Sequence, residues 1–279
     1  MVEVKKENHA YLKILSFLSV FSIIFIFNFV FPLEKGLLHF YNIDTRMWKW
    51  TELLVLGLAI FYTFKIRTLN FKDLVMSIVL GFVVCFANFK NYGYISGIAT
   101  VGCYYAACQI FRYYSQENKF FDLKTANTVK SLFYGFLYSI PFALINNTVI
   151  YFTYGNKIIC IPDMLDIIIK SKEALSPAIS EEVIWHFFLL AFTLDLFKGN
   201  LPKNKIALTL IYILTVIPHC LVHLPNVILN NPYMALFQLL FISILFGFPM
   251  AWFVKNKNLQ TSVGFHWGVD FIRFLFLNW

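Results

Sequence analysis

Long apolar runs separated by short charged segments follow one another along this chain, and they constrain its fold more than any other feature. The run from Ile14 to Leu33 contains no charged residue, and about 20 apolar residues are enough for a helix to cross the hydrocarbon of a bilayer. We interpret this run as a retained first membrane helix. The candidate spans are residues 11–32, 47–64, 73–89, 92–112, 131–153, 173–197, 206–229, 232–254 and 259–278.

Each apolar run must satisfy its own backbone polar groups, because lipid offers no hydrogen-bond partner. We therefore predict an all-α fold, a polytopic transmembrane helical bundle of about seven to nine spans in a single membrane domain of residues 1–279. The sequence shows no internal repeat and no polar stretch long enough to form a soluble domain.

The low content of charged residues excludes most soluble classes of protein. Charged residues make up 14% of the chain and hydrophobic residues 59%, whereas about 25% of an ordinary soluble domain is charged. The lipid bilayer is therefore an expected partner. We expect no nucleic-acid partner despite the net charge of +8, because no basic face with interleaved aromatic residues is visible.

The distribution of Lys and Arg predicts the orientation in the cell membrane. With nine spans, 15 basic residues fall on the side of the N-terminus and seven on the other side, with Arg273 left within the last span. Basic residues accumulate in cytoplasmic loops. We therefore predict a multi-pass protein whose N-terminus is cytoplasmic, with a cytoplasmic loop from Lys198 to Lys205.

Seven ionisable residues interrupt the apolar pattern of the last third: Glu181, Glu182, His186, His219, His223, His266 and Asp270. Six of them form pairs spaced by four residues, so that each pair shares one helix face: Glu182 with His186, His219 with His223, and His266 with Asp270. Ionisable groups are costly in lipid unless they meet one another. We predict that the three helices converge on one cavity near the middle of the membrane.

Several other interpretations of these residues remain open. A buried polar network that only locks helices together would use the same residue types, and so would a proton or cation pathway. An ion-coupled transporter should show a discontinuous helix or repeated halves, and the sequence shows neither. Elsewhere, Glu52 and Asp195 lie near helix ends, where we expect them to reach water. Gly93 and Gly97 form a pair that favours close helix packing.

Three segments of the last third resemble the motifs of one family. Residues 174–186, ALSPAISEEVIWH, resemble the EExxxR motif of the CAAX-protease and bacteriocin-processing family (CPBP or Abi). Residues 219–224, HCLVHL, are similar to its FxxxH motif, and residues 258–271, NLQTSVGFHWGVDF, to its HxxxN/D motif. The order of the motifs also fits, and the resemblance covers about residues 170–275.

The resemblance implies an intramembrane endopeptidase whose active site lies between three C-terminal helices. Residues 1–170 would then be scaffold helices, and residues 171–279 the catalytic region. The chain departs from the family pattern at two positions, because His186 stands in place of the arginine and His219 in place of the phenylalanine. The resemblance implies that His186 orients the glutamates when protonated, and His219 is a secondary candidate.

Hydrolysis of an amide needs an activated water, a group that stabilises the oxyanion and an acid for the leaving amine. The resemblance implies that Glu181 is the general base, that His223 holds the same water and that Glu182 orients its neighbours. His266 and Asp270 would stabilise the oxyanion or hold a metal. A zinc site with His223 and His266 as ligands and a metal-free glutamate reaction are both compatible with the sequence.

The implied substrate is a peptide or a segment of another membrane protein. The alternative is a catalytically silent membrane scaffold, or a bacteriocin-immunity or regulatory protein of the same fold. The exchange of the family's arginine for His186 favours this alternative, because the arginine could orient the glutamates.

Overall fold

The computed structural model describes residues 2–30, 42–88, 93–115, 125–154, 163–202 and 204–276. Within these ranges the chain forms helices and turns and no strand, which confirms the all-α prediction. The helices up to residue 154 are α1 (Val2–Val30), α2 (Ile43–Ile66), α3 (Phe71–Ala87), α4 (Gly93–Tyr113) and α5 (Thr125–Tyr154).

The helices of the C-terminal half include two that contain a π-helical turn. The first runs through α6 (Met164–Glu181), the π turn Glu182–Phe188 and α7 (Leu189–Leu196). After it come α8 (Lys205–Leu221) and the short α9 (Pro225–Asn230). The second runs through α10 (Pro232–Ile242), the π turn Ser243–Gly247 and α11 (Phe248–Asn256), and α12 (Leu259–Phe276) follows it.

Most predicted spans coincide with one of these helical segments, but the predicted span 206–229 is wrong. Its helix ends at Leu221, and α9 begins at Pro225. The proline explains the break, because it lacks an N–H and disfavours helical geometry in the residue before it. By length and composition, three helical stretches of the described chain could cross a membrane: His9–Val30, Asn127–Thr153 and Pro232–Asn256. The count of seven to nine spans stays a prediction.

Asp195 joins three helices at one end of the bundle, which we call the Asp195 end. Its carboxylate accepts hydrogen bonds from Tyr62 at 3.0 Å and Tyr114 at 3.0 Å, and pairs with Lys65 at 2.5 Å. The prediction that Asp195 reaches water is wrong, since the residue is 4% exposed. Its three partners replace water as hydrogen-bond donors.

Glu52 marks the opposite end of the bundle, which we call the Glu52 end. This residue is also buried, at 2% exposure, so the prediction that it reaches water is wrong as well. Lys49 lies 3.0 Å from the Glu52 carboxylate and 2.5 Å from the Ser96 hydroxyl, which donates to Glu52 at 2.8 Å. A buried carboxylate needs such partners, because burial without them is costly.

Glycines let helices approach until their backbones touch. A Cβ on Gly264 of α12 would lie 2.2 Å from the carbonyl oxygen of Leu132 in α5, and one on Gly135 of α5 would lie 2.1 Å from that of Thr261. Gly97 packs in the same way against Gly81 of α3, in keeping with the packing role predicted for it. The close contact with α5 fixes the position of α12, which carries His266 and Asp270.

Replacing Gly264 with Ala should destabilise the protein, because the new methyl group meets backbone atoms that cannot rotate away. Overpacking of this kind costs about 1–3 kcal/mol, and we expect a lower melting temperature of the purified protein in detergent. Gly57→Ala is the matched control, because nothing lies within 4 Å of a Cβ there. It should leave the melting temperature unchanged or raise it, since Ala favours helix over Gly. Equal effects of the two substitutions would contradict this packing.

Candidate active site

Two adjacent carboxylates lie where α6 passes into its π-helical turn. Glu181 is the last residue of α6, and Glu182 begins the turn that also carries His186. Successive residues of a helix point in different directions, so the two carboxylates meet different partners. Isolated π turns of this kind occur often at functional sites.

Glu181 lies among three imidazole rings. Its Oε2 atom is 2.8 Å from Nε2 of His219, 3.5 Å from Nε2 of His266 and 3.7 Å from Nε2 of His223. The first distance is that of a hydrogen bond, whereas the other two leave room for a small shift or a shared ligand. Residues from α6, α8 and α12 therefore meet at one carboxylate oxygen.

Glu182 is fully buried and is held by α12. Its Oε1 atom lies 2.9 Å from Nδ1 of His266, and its Oε2 atom accepts a hydrogen bond from the Ser262 hydroxyl. The same hydroxyl lies 3.0 Å from the carbonyl oxygen of Met250. Glu182 thus orients the His266 ring, so that the other ring nitrogen faces Glu181.

His186 lies beside both glutamates without bonding directly to either of them. Its Nε2 atom is 3.1 Å from Nδ1 of His219 and 3.9 Å from Oε1 of Glu182. Because the opposite nitrogen of His219 bonds Glu181, the three side chains form a chain from His186 through His219 to Glu181. His186 therefore contacts Glu181 through His219, which occupies the position of the family's phenylalanine.

His223 lies in the turn after α8, at the break that the sequence analysis missed. The prediction that it shares a helix face with His219 is wrong, because the helix ends at Leu221. The two rings are nevertheless close, with centroids 5.4 Å apart. Trp48 of α2 packs edge-on against His223, at 4.8 Å between centroids. The break and this contact direct His223 back toward Glu181.

Asp270 contacts His266 and a cation. Its Oδ2 atom lies 3.5 Å from Nε2 of His266, and its Oδ1 atom is 3.0 Å from an amino group of Arg273. His266 therefore faces three carboxylates, those of Glu181, Glu182 and Asp270. The ion pair with Arg273 neutralises one of them.

Two cavities meet at this cluster. The first, the apolar cavity, has a volume of about 300 Å³. Its lining is mainly aromatic and aliphatic, and it also includes His219, His223, His266, Asp270 and Arg273. The second, the polar cavity, has a volume of about 910 Å³, and its lining includes Glu181 and Trp48. The glutamate thus borders one cavity and the histidines border the other.

Glu181, His219 and His223 could hold a metal ion. Each offers one ligand atom, and these atoms lie within 4.8 Å of one another. Two imidazoles and a carboxylate are a donor set that suits zinc and leaves a fourth position for water. The group differs from the predicted pair of His223 and His266, since it contains His219 and not His266, whose Nε2 atom lies 3.5 Å from Glu181.

The structure brings together all six predicted catalytic residues and His219. It adds Ser262 and Trp48, which the sequence analysis did not single out. Ser262 had a visible signal, because it precedes His266 by four residues and so shares its helix face. Trp48 had none, because its place beside His223 depends on how α2 packs.

A comparison with protein-family models identifies the class of protein to which this site corresponds. Residues 173–272 match the model described as Rce1-like, type II CAAX prenyl endopeptidase. The match confirms the resemblance to the CAAX-protease family, and it spans the residues that carry the site apart from Trp48 and Arg273. Comparisons with curated proteins and with solved structures found no match.

Replacing Ser262 with Ala should destabilise the protein by about 1–3 kcal/mol, because the buried Glu182 carboxylate loses a hydrogen-bond donor. Denaturant unfolding of the protein in detergent measures this loss. Ser77→Ala is the matched control: Ser77 is equally buried, but its hydroxyl bonds a carbonyl of its own helix. That change should stay within about 0.5 kcal/mol. The assigned role of Ser262 would be refuted by equal losses.

Proposed function

We propose that the protein is an intramembrane endopeptidase that hydrolyses a peptide bond in a peptide or a membrane-protein segment. The observation that carries this proposal is the position of Glu181 between the two cavities. The polar cavity can supply water to the carboxylate, and the apolar cavity beside the histidines can hold apolar side chains of a substrate segment. A general base needs this arrangement, with water on one side and the scissile bond on the other.

In this mechanism the Glu181 carboxylate takes a proton from a water molecule as the water oxygen attacks the carbonyl carbon. His223, 3.7 Å from the same carboxylate oxygen, helps to hold that water. The proton on Glu181 then passes to the leaving amine as the C–N bond breaks. Glu181 ends as a carboxylate, so the site is restored.

His266 is the group best placed to stabilise the oxyanion. Its Nδ1–H donates to Glu182, and its Nε2 atom points to Glu181 and Asp270 at 3.5 Å from each. A protonated ring held by these carboxylates offers a preorganised donor where charge develops, and such donors contribute much of catalysis. Asp270 acts by holding the ring, since a carboxylate cannot itself stabilise an oxyanion.

Two tautomers of the His186–His219 pair correspond to the two forms of this reaction. Without a metal, His219 donates from Nε2 to Glu181, and its Nδ1 accepts from His186. If a metal were bound, His219 would hold it through Nε2 and its Nδ1–H would donate to His186, a partner of the kind that metal-bound histidines usually have. A bound zinc ion would supply a Lewis acid that lowers the pKa of its water.

A catalytically silent scaffold or immunity protein of the same fold is the second candidate. The exchange of the family's arginine for His186 favours it. The endopeptidase is supported better, because His186 still contacts Glu181 through His219 and lies 3.9 Å from Glu182. We further propose that the N-terminus is cytoplasmic.

Glu181→Gln should lower proteolysis by about 10²–10⁴-fold, since an amide cannot act as the general base. The measurement is mass spectrometry of peptides released in membranes of the native host, with wild type beside the variant. Asp163→Asn is the control, because this exposed residue caps α6 and Asn caps helices as well as Asp does. A folded Glu181→Gln variant with full function would establish the scaffold instead.

If the reaction uses a metal, the purified protein should bind zinc, and His219→Ala and His223→Ala should abolish binding. His186→Ala should weaken binding by about 10–100-fold, because the ligand His219 loses its partner. His9→Ala, at an exposed position of α1, should change nothing. Metal content after dialysis provides the readout. Absence of zinc, together with Glu181-dependent proteolysis in chelator, would leave the metal-free reaction.

A further inference from the structure

Both cavities of the site lie toward the Glu52 end of the bundle. Contacts between helix termini define this end. Arg46, near the start of α2, donates to the carbonyl oxygen of Asn28 near the end of α1, at 2.6 Å. Ser176 of α6 donates to Val84, near the end of α3, at 3.2 Å. Helix α1 therefore ends where α2 begins, and the end of α3 lies beside the first half of the continuous helix Met164–Leu196.

The opposite, Asp195 end is defined in the same way. Asn204, before α8, lies 3.3 Å from the hydroxyl of Tyr11 near the start of α1. Asn258, before α12, donates to Ser131 near the start of α5, at 3.0 Å. Helices α1, α5, α8 and α12 therefore begin at the Asp195 end, and the motif residues late in α8 and α12 lie toward the Glu52 end.

The polar cavity runs from the surface at the Glu52 end down to Glu181. Its lining includes the exposed residues Asn42, which precedes α2, and Glu173, in the middle of α6. Deeper in the cavity are Glu52 and Ser180, which are buried beside Glu181. A polar passage of this size is therefore open to water from one end of the bundle.

The charge of the described chain differs between the two ends. Twelve of its Lys and Arg residues lie in the parts of the helices and turns at the Asp195 end. Five lie toward the Glu52 end: Arg46, Lys49, Lys170, Lys172 and Arg273. Because basic residues accumulate on the cytoplasmic side, the Asp195 end faces the cytoplasm and the Glu52 end faces outward.

We infer that the site opens to the extracytoplasmic side of the membrane and takes its water from there. If the proposed function holds, the substrate is a peptide bond presented from outside, either in an exported peptide or in the outer flank of a membrane-protein segment. A substrate attached to the cytoplasmic leaflet would meet the opposite end of the bundle.

Labelling of single introduced cysteines in intact cells with a membrane-impermeant maleimide tests this inference. Glu173→Cys probes the rim of the polar cavity, and Ser180→Cys probes its depth. Asn200→Cys lies in the exposed turn at the Asp195 end. Thr193→Cys is the matched control for Ser180→Cys, because Thr193 is buried in the same continuous helix and also bonds a carbonyl of that helix.

We expect Glu173→Cys and Ser180→Cys to react in intact cells, and Asn200→Cys to react only after permeabilisation. Thr193→Cys should stay at the background of the parent chain, whose own cysteines set that level. Reaction of Glu173→Cys only after permeabilisation would overturn the inference. A Ser180→Cys variant that does not react would also overturn it. Ser176→Cys, which lines the same cavity, is the second probe of its depth.

Labelling requires no proteolysis, so its outcome is independent of the proposed function. If the cysteines react as expected but the protein shows no proteolysis, the extracytoplasmic opening stands and only the endopeptidase proposal fails. If the protein is active but Glu173→Cys reacts only after permeabilisation, the endopeptidase proposal stands and the extracytoplasmic opening fails.

Discussion

The cost of placing two adjacent carboxylates inside a helical bundle governs the architecture of the C-terminal half. Neither Glu181 nor Glu182 can remain unpaired at this depth, because a buried charge without partners is far more costly than a buried polar group. Glu181 meets imidazoles from α8, α12 and the turn after α8, and Glu182 meets Ser262 and His266 of α12. The same contacts that satisfy the carboxylates assemble the candidate active site.

Those contacts depend on packing that brings helix backbones together elsewhere. Gly135 and Gly264 let α12 lie directly on α5, which holds His266 at the height of Glu182. The break before Pro225 then releases His223 from its helix, and the edge-on contact with Trp48 fixes its ring. Two glycines, a proline and an aromatic ring thus position His223 and His266 in the candidate active site.

The sequence predicts the helical segments and the motif residues well, because apolar runs and ionisable interruptions are local signals. It misjudges Glu52 and Asp195. Lys49 is a local partner of Glu52 three residues away on the same helix, but the contacts with Ser96 and Tyr114 become visible only when helices pack. The broken helix at residues 222–224 was missed because Val222 and Leu224 continue the apolar run on either side of His223, even though Pro225 marks the break. The metal-capable group includes His219 for a similar reason, since its contact with Glu181 joins two helices and is a tertiary feature.

The contribution of α2 to the site limits how the chain can be divided. Residues 173–272 match the family model, yet the wall beside Glu181 includes Trp48, Lys49 and Glu52. A fragment restricted to the matched region would lack this wall of the cavity that Glu181 borders. Helix α2 is therefore part of the wall that encloses the site. Substitutions in α2 at positions that line this cavity should affect the site even though they lie outside the matched region.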